Sequence, residues 1–383
     1  MWRARGERAP VTLHPEVARK MPAFHSRRDR LRRQLKKESV DALLVTNFTN
    51  VTYLTGFTGD DSYLLVTLDG EALISDMRYE EQLDEECPGL RLMVRGTADK
   101  MNATVGKLLK SEGVATLGVE GSTMTLNGKQ ALEQETKNVA FKPVDNAVEK
   151  LRIVKDKDEI AETRLACWQA RRAFEVVRSG ITPDTTERQI AADLEHTIRK
   201  LGGKGVSFTP IVGVGPRGAL PHAKLTNRRI GESDFTLMDW GANAGLYVSD
   251  ITRMVVTGKV TPTFKKRYEV VLKAQKAAIK AIKPGVKCSH IDKVARDVIA
   301  KAGMGKRFGH GLGHGTGLEI HEAPRLSKSD DSELKPGMIV TVEPGVYFPG
   351  WGGIRIEDDV LVTASGHEVL SDVPKELDEC VLR

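Results

Sequence analysis

The chain of 383 residues has only four cysteines, Cys87, Cys167, Cys288 and Cys380, and no two are close enough to form a CxxC pair. This fits free thiols in a reducing cytoplasm better than a disulfide frame or a cysteine-ligated metal. No apolar run approaches the roughly 20 residues of a membrane span, and Trp2 to Met21 lacks the apolar stretch of a signal peptide. A cytoplasmic protein is the expectation. Internal repeats and low-complexity segments are also missing, so a solenoid is excluded. No GxSxG occurs and no cysteine has an activated setting, which leaves serine or cysteine nucleophiles unsupported.

The formal charge of +6 does not indicate nucleic acid once it is located. Residues 1–38 hold twelve Lys or Arg against four Asp or Glu, a charge of +8, which leaves the other 345 residues at −2. The basicity belongs to an N-terminal arm running into a charged helix. A phosphate-binding face needs clustered cations on the folded body. Neither nucleic acid nor a membrane is expected as a partner.

With 40% hydrophobic and 29% charged residues, the composition is that of an ordinary globular protein of two to three domains. The spacing of Phe24, Leu31 and Leu35 predicts a helix to about Val40. Short apolar runs at Ala42–Val45, Tyr63–Val66, Ala72–Ile74 and Leu90–Met93 alternate with helical stretches at Tyr79–Glu86 and Ala103–Ser111. This is an α/β pattern with a mixed sheet, ending near Val144–Asn146. Lys150–Arg178 reads as one long helix opening a second domain, and Thr185 as the N-cap of a helix to Leu201. Phe235–Asp239, Tyr247–Val256, Met338–Val342 and Gly353–Val362 read as strands. Thr263–Ile282 and Ile291–Ala302 read as helices.

The most informative pair is Asp239 and Asp250 in LMDWGANAGLYVSDITRMV. Their midpoint falls in the turn-forming Asn243-Ala244-Gly245-Leu246, so a symmetric hairpin sets them directly opposite, about 5 Å apart at Cβ. Opposed like charges destabilise a sheet unless a cation lies between them, and hard oxygen donors suit Mn²⁺, Mg²⁺ or Co²⁺. The same arithmetic pairs Glu343 with Glu357 about Gly350, in the turn-rich FPGWGG. Period-two alternation then puts Thr341 on the face of Glu343, and Arg355 and Asp359 on that of Glu357. Between the hairpins lies GHGLGHGTGLEIHEAPR, with His310, His314 and His321 and six glycines from Gly305 to Gly317. Four carboxylates and one histidine suggest a two-metal hydrolytic centre with a bridging hydroxide as nucleophile, since two divalent ions neutralise four negative charges.

Two motif matches fail. Gly213 to Gly218 fits GxGxxG, but Pro216 and Pro221 leave no room for the following helix of a dinucleotide site. His321-Glu322 begins an HExxH, but Arg325 stands where the second histidine belongs.

Three blocks, LMDWGANAGLYVSDITR, GHGLGHGTGLEIHEAP and TVEPGVYFPGWGGIRIEDDVLVT, resemble the signatures of the M24 metallopeptidases. These are the pita-bread Xaa-Pro aminopeptidases, prolidases and methionine aminopeptidases. DALLVTNFTNVTYLTGFTGDDSYLLVT is similar to the creatinase-type N-terminal domain of the proline-specific branch. The resemblance implies an α/β (α+β) chain with a smaller mixed-sheet domain at 24–147, preceded by the basic arm at 1–23, and a pita-bread domain at 148–383. It implies Asp239, Asp250, His314, Glu343 and Glu357 as ligands of two divalent ions, Mn²⁺ first, with Co²⁺, Zn²⁺ or Fe²⁺ also tolerated. His222, His321 and Arg355 match catalytic positions: His222 contacts substrate and shuttles protons, and His321 stabilises the tetrahedral intermediate. His310 and Arg355 match positions behind the ligands, and Tyr247 and Thr252 resemble residues orienting Asp250 and its surroundings. Ala223 to Asn227 departs from the family's more Gly/Pro-rich segment.

The implied function is hydrolysis of the Xaa-Pro bond at the N-terminus of peptides, as in aminopeptidase P, with dipeptides also accepted. The alternative is a strict Xaa-Pro dipeptidase, in which Arg325 grips the free carboxylate of the dipeptide. Creatinase, which acts without metal, and an inactive peptide-binding module are disfavoured because all five ligand positions are filled. Methionine aminopeptidase is disfavoured because that branch lacks the N-terminal domain. A homodimer is expected by resemblance.

Overall fold

The computed structural model describes residues 15–382, and the chain divides into two compact units, Met1–Arg152 and Ile153–Arg383. Most of the basic arm lies outside the described residues. Among those described, no helix is long and apolar enough to cross a membrane.

The first unit is built on a mixed six-stranded sheet. Its order is Leu92–Arg95, Glu71–Asp76, Tyr63–Thr67, Ala42–Val45, Thr116–Val119 and Ala140–Pro143. Ala42–Val45 runs antiparallel to Tyr63–Thr67 and parallel to Thr116–Val119. Leu44, Leu65, Ile74 and Leu117 bury one face under Val105 and Leu108 of the Met101–Ser111 helix. The charged first helix, Pro15–Glu38, begins earlier than its spacing predicts, and Leu31 and Leu35 are fully buried.

The expected long helix is broken where the first unit ends. Glu149–Arg152 stops short, and Lys157–Ser179 restarts behind a capping box in which Asp156 and Glu159 serve each other's backbone amides. A cap of this kind satisfies orphan N–H groups and is worth about 1 kcal/mol, so a restart here is favoured over a continuous helix. The next helix, Glu187–Lys200, is capped by Thr186 rather than Thr185, again through a capping box with Gln189.

A three-stranded antiparallel sheet follows, ordered Ile251–Val256, Phe235–Trp240, Ile211–Val214. Trp240 is fully buried, stacks on Phe174 at 4.5 Å and donates its indole N–H to the Ala170 carbonyl at 3.0 Å. That anchors the strand carrying Asp239 to the Lys157–Ser179 helix. Truncating such a residue costs about 3–5 kcal/mol. A five-stranded antiparallel sheet, ordered Glu322–Leu326, Gly313–Gly315, Ile339–Val342, Asp358–Val362, His367–Val369, completes the frame. A two-stranded ribbon, Gly345–Phe348 with Gly352–Arg355, extends from it. The run expected as one strand over Gly353–Val362 is therefore two strands, and Glu357 lies between them.

Candidate metal centre

The two hairpins differ in how well simple symmetry describes them. Strand Phe235–Trp240 pairs with Ile251–Val256 so that Asp239 faces Thr252 and Trp240 faces Ile251. The loop is the four residues 244–247, closed by the Asn243–Val248 bridge and an Ala244 N–H to Tyr247 carbonyl bond. The hairpin axis thus sits one residue later than symmetry about the Asn-Gly turn predicts. Asp250 is consequently diagonal to Asp239 on the same face, not opposite it, and Tyr247 is in the loop rather than in a strand. At the other hairpin, Thr341 faces Asp359 in one ladder and Gly345 faces Arg355 in the next. Both ladders share one register, and continuing it sets Glu343 against Glu357 as the arithmetic predicts.

His314 is the middle residue of Gly313–Gly315. A Cβ on Gly313 would lie 2.0 Å from the Thr341 carbonyl oxygen, and one on Gly315 would lie 2.3 Å from that of Ala323. Both flanking positions must therefore be glycine for three strands to close around this imidazole.

Asp239, Asp250, His314, Glu343 and Glu357 all line one cleft of about 1020 Å³. Within it, Asp250, His314 and Glu357 present ligand atoms that all lie within 4.8 Å of one another. Glu343 Oε1 is 3.5 Å from His314 Nε2. Asp239 is bound by the guanidinium of Arg355. Burial comes first in raising these carboxylates: it pushes Glu343 up to about 8, and with neighbouring carboxylates it lifts Asp250 and Glu357 well above the usual range.

The donor set fits a divalent cation on two further observations. Asp239 Oδ1 and Asp250 Oδ1 are buried with no hydrogen-bond donor among the described residues, whereas buried acceptors in folded proteins are nearly always satisfied. His314 Nδ1 lies 3.0 Å from the Gly315 carbonyl, which can only accept, so Nδ1 carries the proton. Burial holds the ring neutral, with its pKa lowered to about 3. The Nε2 lone pair therefore points at the carboxylates, as in histidine ligands whose other nitrogen is fixed by a carbonyl.

The surrounding residues form a second layer. Arg355 donates to Tyr347 Oη at 2.8 Å and Thr252 Oγ1 at 3.0 Å besides Asp239. Thr252 in turn donates to Glu357 Oε2 at 2.6 Å. Thr252 therefore orients Glu357 and Arg355, the surroundings of Asp250. Tyr247 does not line the cleft, and its hydroxyl binds the Glu159 carboxylate. The amide of Asp250 is held instead by Asp359 Oδ2 at 2.9 Å. His310 donates from Nδ1 to the Gly311 carbonyl at 2.7 Å, and its Nε2 meets Tyr347 Oη at 3.0 Å. Burial and Arg355 lower its pKa to about 4, so the neutral ring accepts from the tyrosine.

His222 and His321 are exposed side chains lining the same cleft. The His321 ring meets that of His314 edge-on at 4.5 Å, and burial followed by Arg325 lowers its pKa. Its loop is fastened by Glu322, which accepts the amides of Leu318 and Glu319 and pairs with Lys155 at 3.0 Å. Arg325 lies cross-strand from His314. Its guanidinium is exposed on the cleft and has no acidic partner among the described residues.

Tyr347, Asp359 and Glu322 are the residues the sequence reading gave no role. Tyr347 was within reach, since alternation from Glu343 through Gly345 puts it on the same face.

Residues 161–364 match the model of metallopeptidase family M24, and residues 27–154 match the Creatinase/Prolidase N-terminal domain. A Xaa-Pro dipeptidase of Pyrococcus horikoshii is 36% identical over 352 residues, 90% of this chain and 96% of that protein. Among solved structures, a Xaa-Pro dipeptidase from Bacillus anthracis is 38% identical with a TM-score of 0.90, covering 94% of this chain and all of that one. The X-Pro aminopeptidase from Thermotoga maritima is 36% identical with a TM-score of 0.83, covering 88% and 97%. The chain is thus a pita-bread enzyme belonging to metallopeptidase family M24, with a creatinase-type N-terminal domain.

Proposed function

We propose that this chain is a Xaa-Pro dipeptidase whose centre holds two divalent cations between Asp239, Asp250, His314, Glu343 and Glu357. Sequence alone leans to removing the first residue of longer peptides. The setting of Arg325 moves the reading to dipeptides, and this is the observation that carries it. An unpaired guanidinium faces the cleft directly across the strand from His314, where a carboxylate one residue beyond the scissile bond gains two parallel charge-assisted hydrogen bonds. The names of the Pyrococcus and Bacillus relatives agree with it.

Bound cations supply Lewis-acid polarisation of the scissile carbonyl and acidify water, and Mn²⁺ suits the oxygen-rich donors. The chain's own groups do the rest. Asp239 and Arg355 form a buried pair that fixes the inner wall. Glu343 Oε1, beside Thr341 Oγ1 at 3.4 Å, can take up a proton during attack on the amide carbonyl. His321 presents a neutral imidazole able to donate to the developing oxyanion from the side of His314. His222 lines the same cleft and is assigned to the departing proline nitrogen. Proline leaves as a secondary amine from a tertiary amide of fixed φ, so a shaped apolar wall is needed, and Pro210, Ile211 and Pro221 provide one.

The aminopeptidase reading is kept because a cleft of about 1020 Å³ exceeds what a dipeptide fills. Mn²⁺-loaded enzyme assayed on Ala-Pro and Ala-Pro-Ala decides between them. The dipeptidase reading expects Ala-Pro to be preferred and Arg325→Met to raise its KM by about 10- to 100-fold, with kcat changed much less. Efficient release of alanine from the tripeptide, with Arg325→Met indifferent, establishes the aminopeptidase instead.

A further inference from the structure

The segment 223–227 departs from the family pattern and brings a lysine to the cleft. His222, Ala223 and Lys224 all line it, and the Lys224 side chain is exposed. Its backbone is fixed from both sides by a single carboxylate. Glu187, with a fully buried side chain, accepts Arg217 Nε at 2.9 Å, and Arg217 donates from Nη2 to the Lys224 carbonyl. The other oxygen of Glu187 accepts the Thr226 amide at 2.9 Å and the Thr226 hydroxyl at 2.7 Å. Glu187 also takes the Val214 amide at 3.1 Å. Lys224 is therefore presented by a tied-down backbone, so little ordering entropy is lost when its ammonium meets a partner.

The charges lining the cleft are sorted by depth. Asp239, Asp250 and Glu357 are buried and Glu343 is half-buried, and Arg355 is engaged by Asp239. The cations left without an acidic partner among the described residues, Lys224 and Arg325, are both exposed. No carboxylate of the cleft forms an ion pair with Lys224 or Arg325. The mouth thus offers one more cation than recognition of a single carboxylate requires.

We propose that Lys224 is a specificity-determining residue that binds a carboxylate of the Xaa-Pro substrate. The inference rests on the Xaa-Pro reading above. The carboxylate has two possible sources, an acidic side chain on the residue before proline or the terminal carboxylate shared with Arg325.

The test measures kcat/KM of wild type, Lys224→Met and Lys224→Glu on Glu-Pro, Gln-Pro, Ala-Pro and the amide of Ala-Pro, at low and high ionic strength. Each selectivity ratio is internal to one variant, so differences in active fraction cancel. Wild type is expected to prefer Glu-Pro to Gln-Pro by about tenfold, as one charge-assisted contact gives. Lys224→Met removes that preference, Lys224→Glu inverts it, and salt weakens it. A loss that falls on Ala-Pro relative to its amide assigns the contact to the terminal carboxylate. Ratios unchanged within about twofold in both variants overturn the inference while leaving the Xaa-Pro reading intact. Wild-type enzyme inactive on every Xaa-Pro compound overturns that reading and this inference with it.

Discussion

Asp250 carries two demands at once. Its amide is fixed by Asp359, and its Oδ1 is buried without a donor among the described residues, a setting that a bound cation would satisfy. Asp250→Asn keeps the shape and removes the charge. It is expected to weaken Mn²⁺ binding by at least about 100-fold, measured by titration calorimetry, and to lower turnover of Ala-Pro in step. Wild-type affinity in this variant contradicts the assignment. At this scale the sequence is a good guide where chemistry is scarce: few arrangements suit two Asp, two Glu and a His in facing hairpins, and all five line one cleft. It is a poor guide to who holds whom. Thr252 serves Glu357, Tyr247 serves Glu159 and Asp359 serves Asp250, because such partners are set by side-chain geometry across elements and leave no periodic trace.

At the scale of elements, register decides the site. Equal ladders on both sides of Glu343 and Glu357 make that hairpin legible by arithmetic. The Asp hairpin is displaced by one residue because its loop has four residues where a symmetric Asn-Gly turn suggests a different centre. The break before Lys157 has the same origin: helix propensity over Lys150–Arg178 is continuous, and a capping box overrides it. The Gly313–Gly315 strand is the least tolerant element. Gly313→Ala drives a Cβ into the Thr341 carbonyl, and overpacking of this kind costs about 3 kcal/mol. A fall in Tm of roughly 6–12 °C is expected by calorimetry, with loss of metal binding through His314. A melting point within a degree of wild type contradicts the close packing described here.

For the whole molecule, the buried carboxylates couple stability to pH and metal. Asp and Glu in the unfolded chain titrate near 4, whereas burial raises Glu343 to about 8 and Asp359 to about 7 in the fold. Between these limits the metal-free native state binds more protons than the unfolded state. Its stability is therefore highest below pH ~4 as far as these groups are concerned, and it declines as pH rises toward 8. A cation replaces those protons, so the rise in Tm on adding Mn²⁺ is expected to be larger at pH 8 than at pH 5.5. A rise independent of pH contradicts the coupling. The sequence pattern shifts near residue 150, and the chain divides into compact units at Arg152 and Ile153.

The most direct test of the account follows Ala-Pro hydrolysis while chelator-stripped enzyme is titrated with Mn²⁺, with bound metal counted in parallel. No turnover is expected in the stripped chain, and full turnover on binding of two ions per chain. Hydrolysis by the stripped enzyme, or two bound ions without any hydrolysis of Ala-Pro, contradicts it.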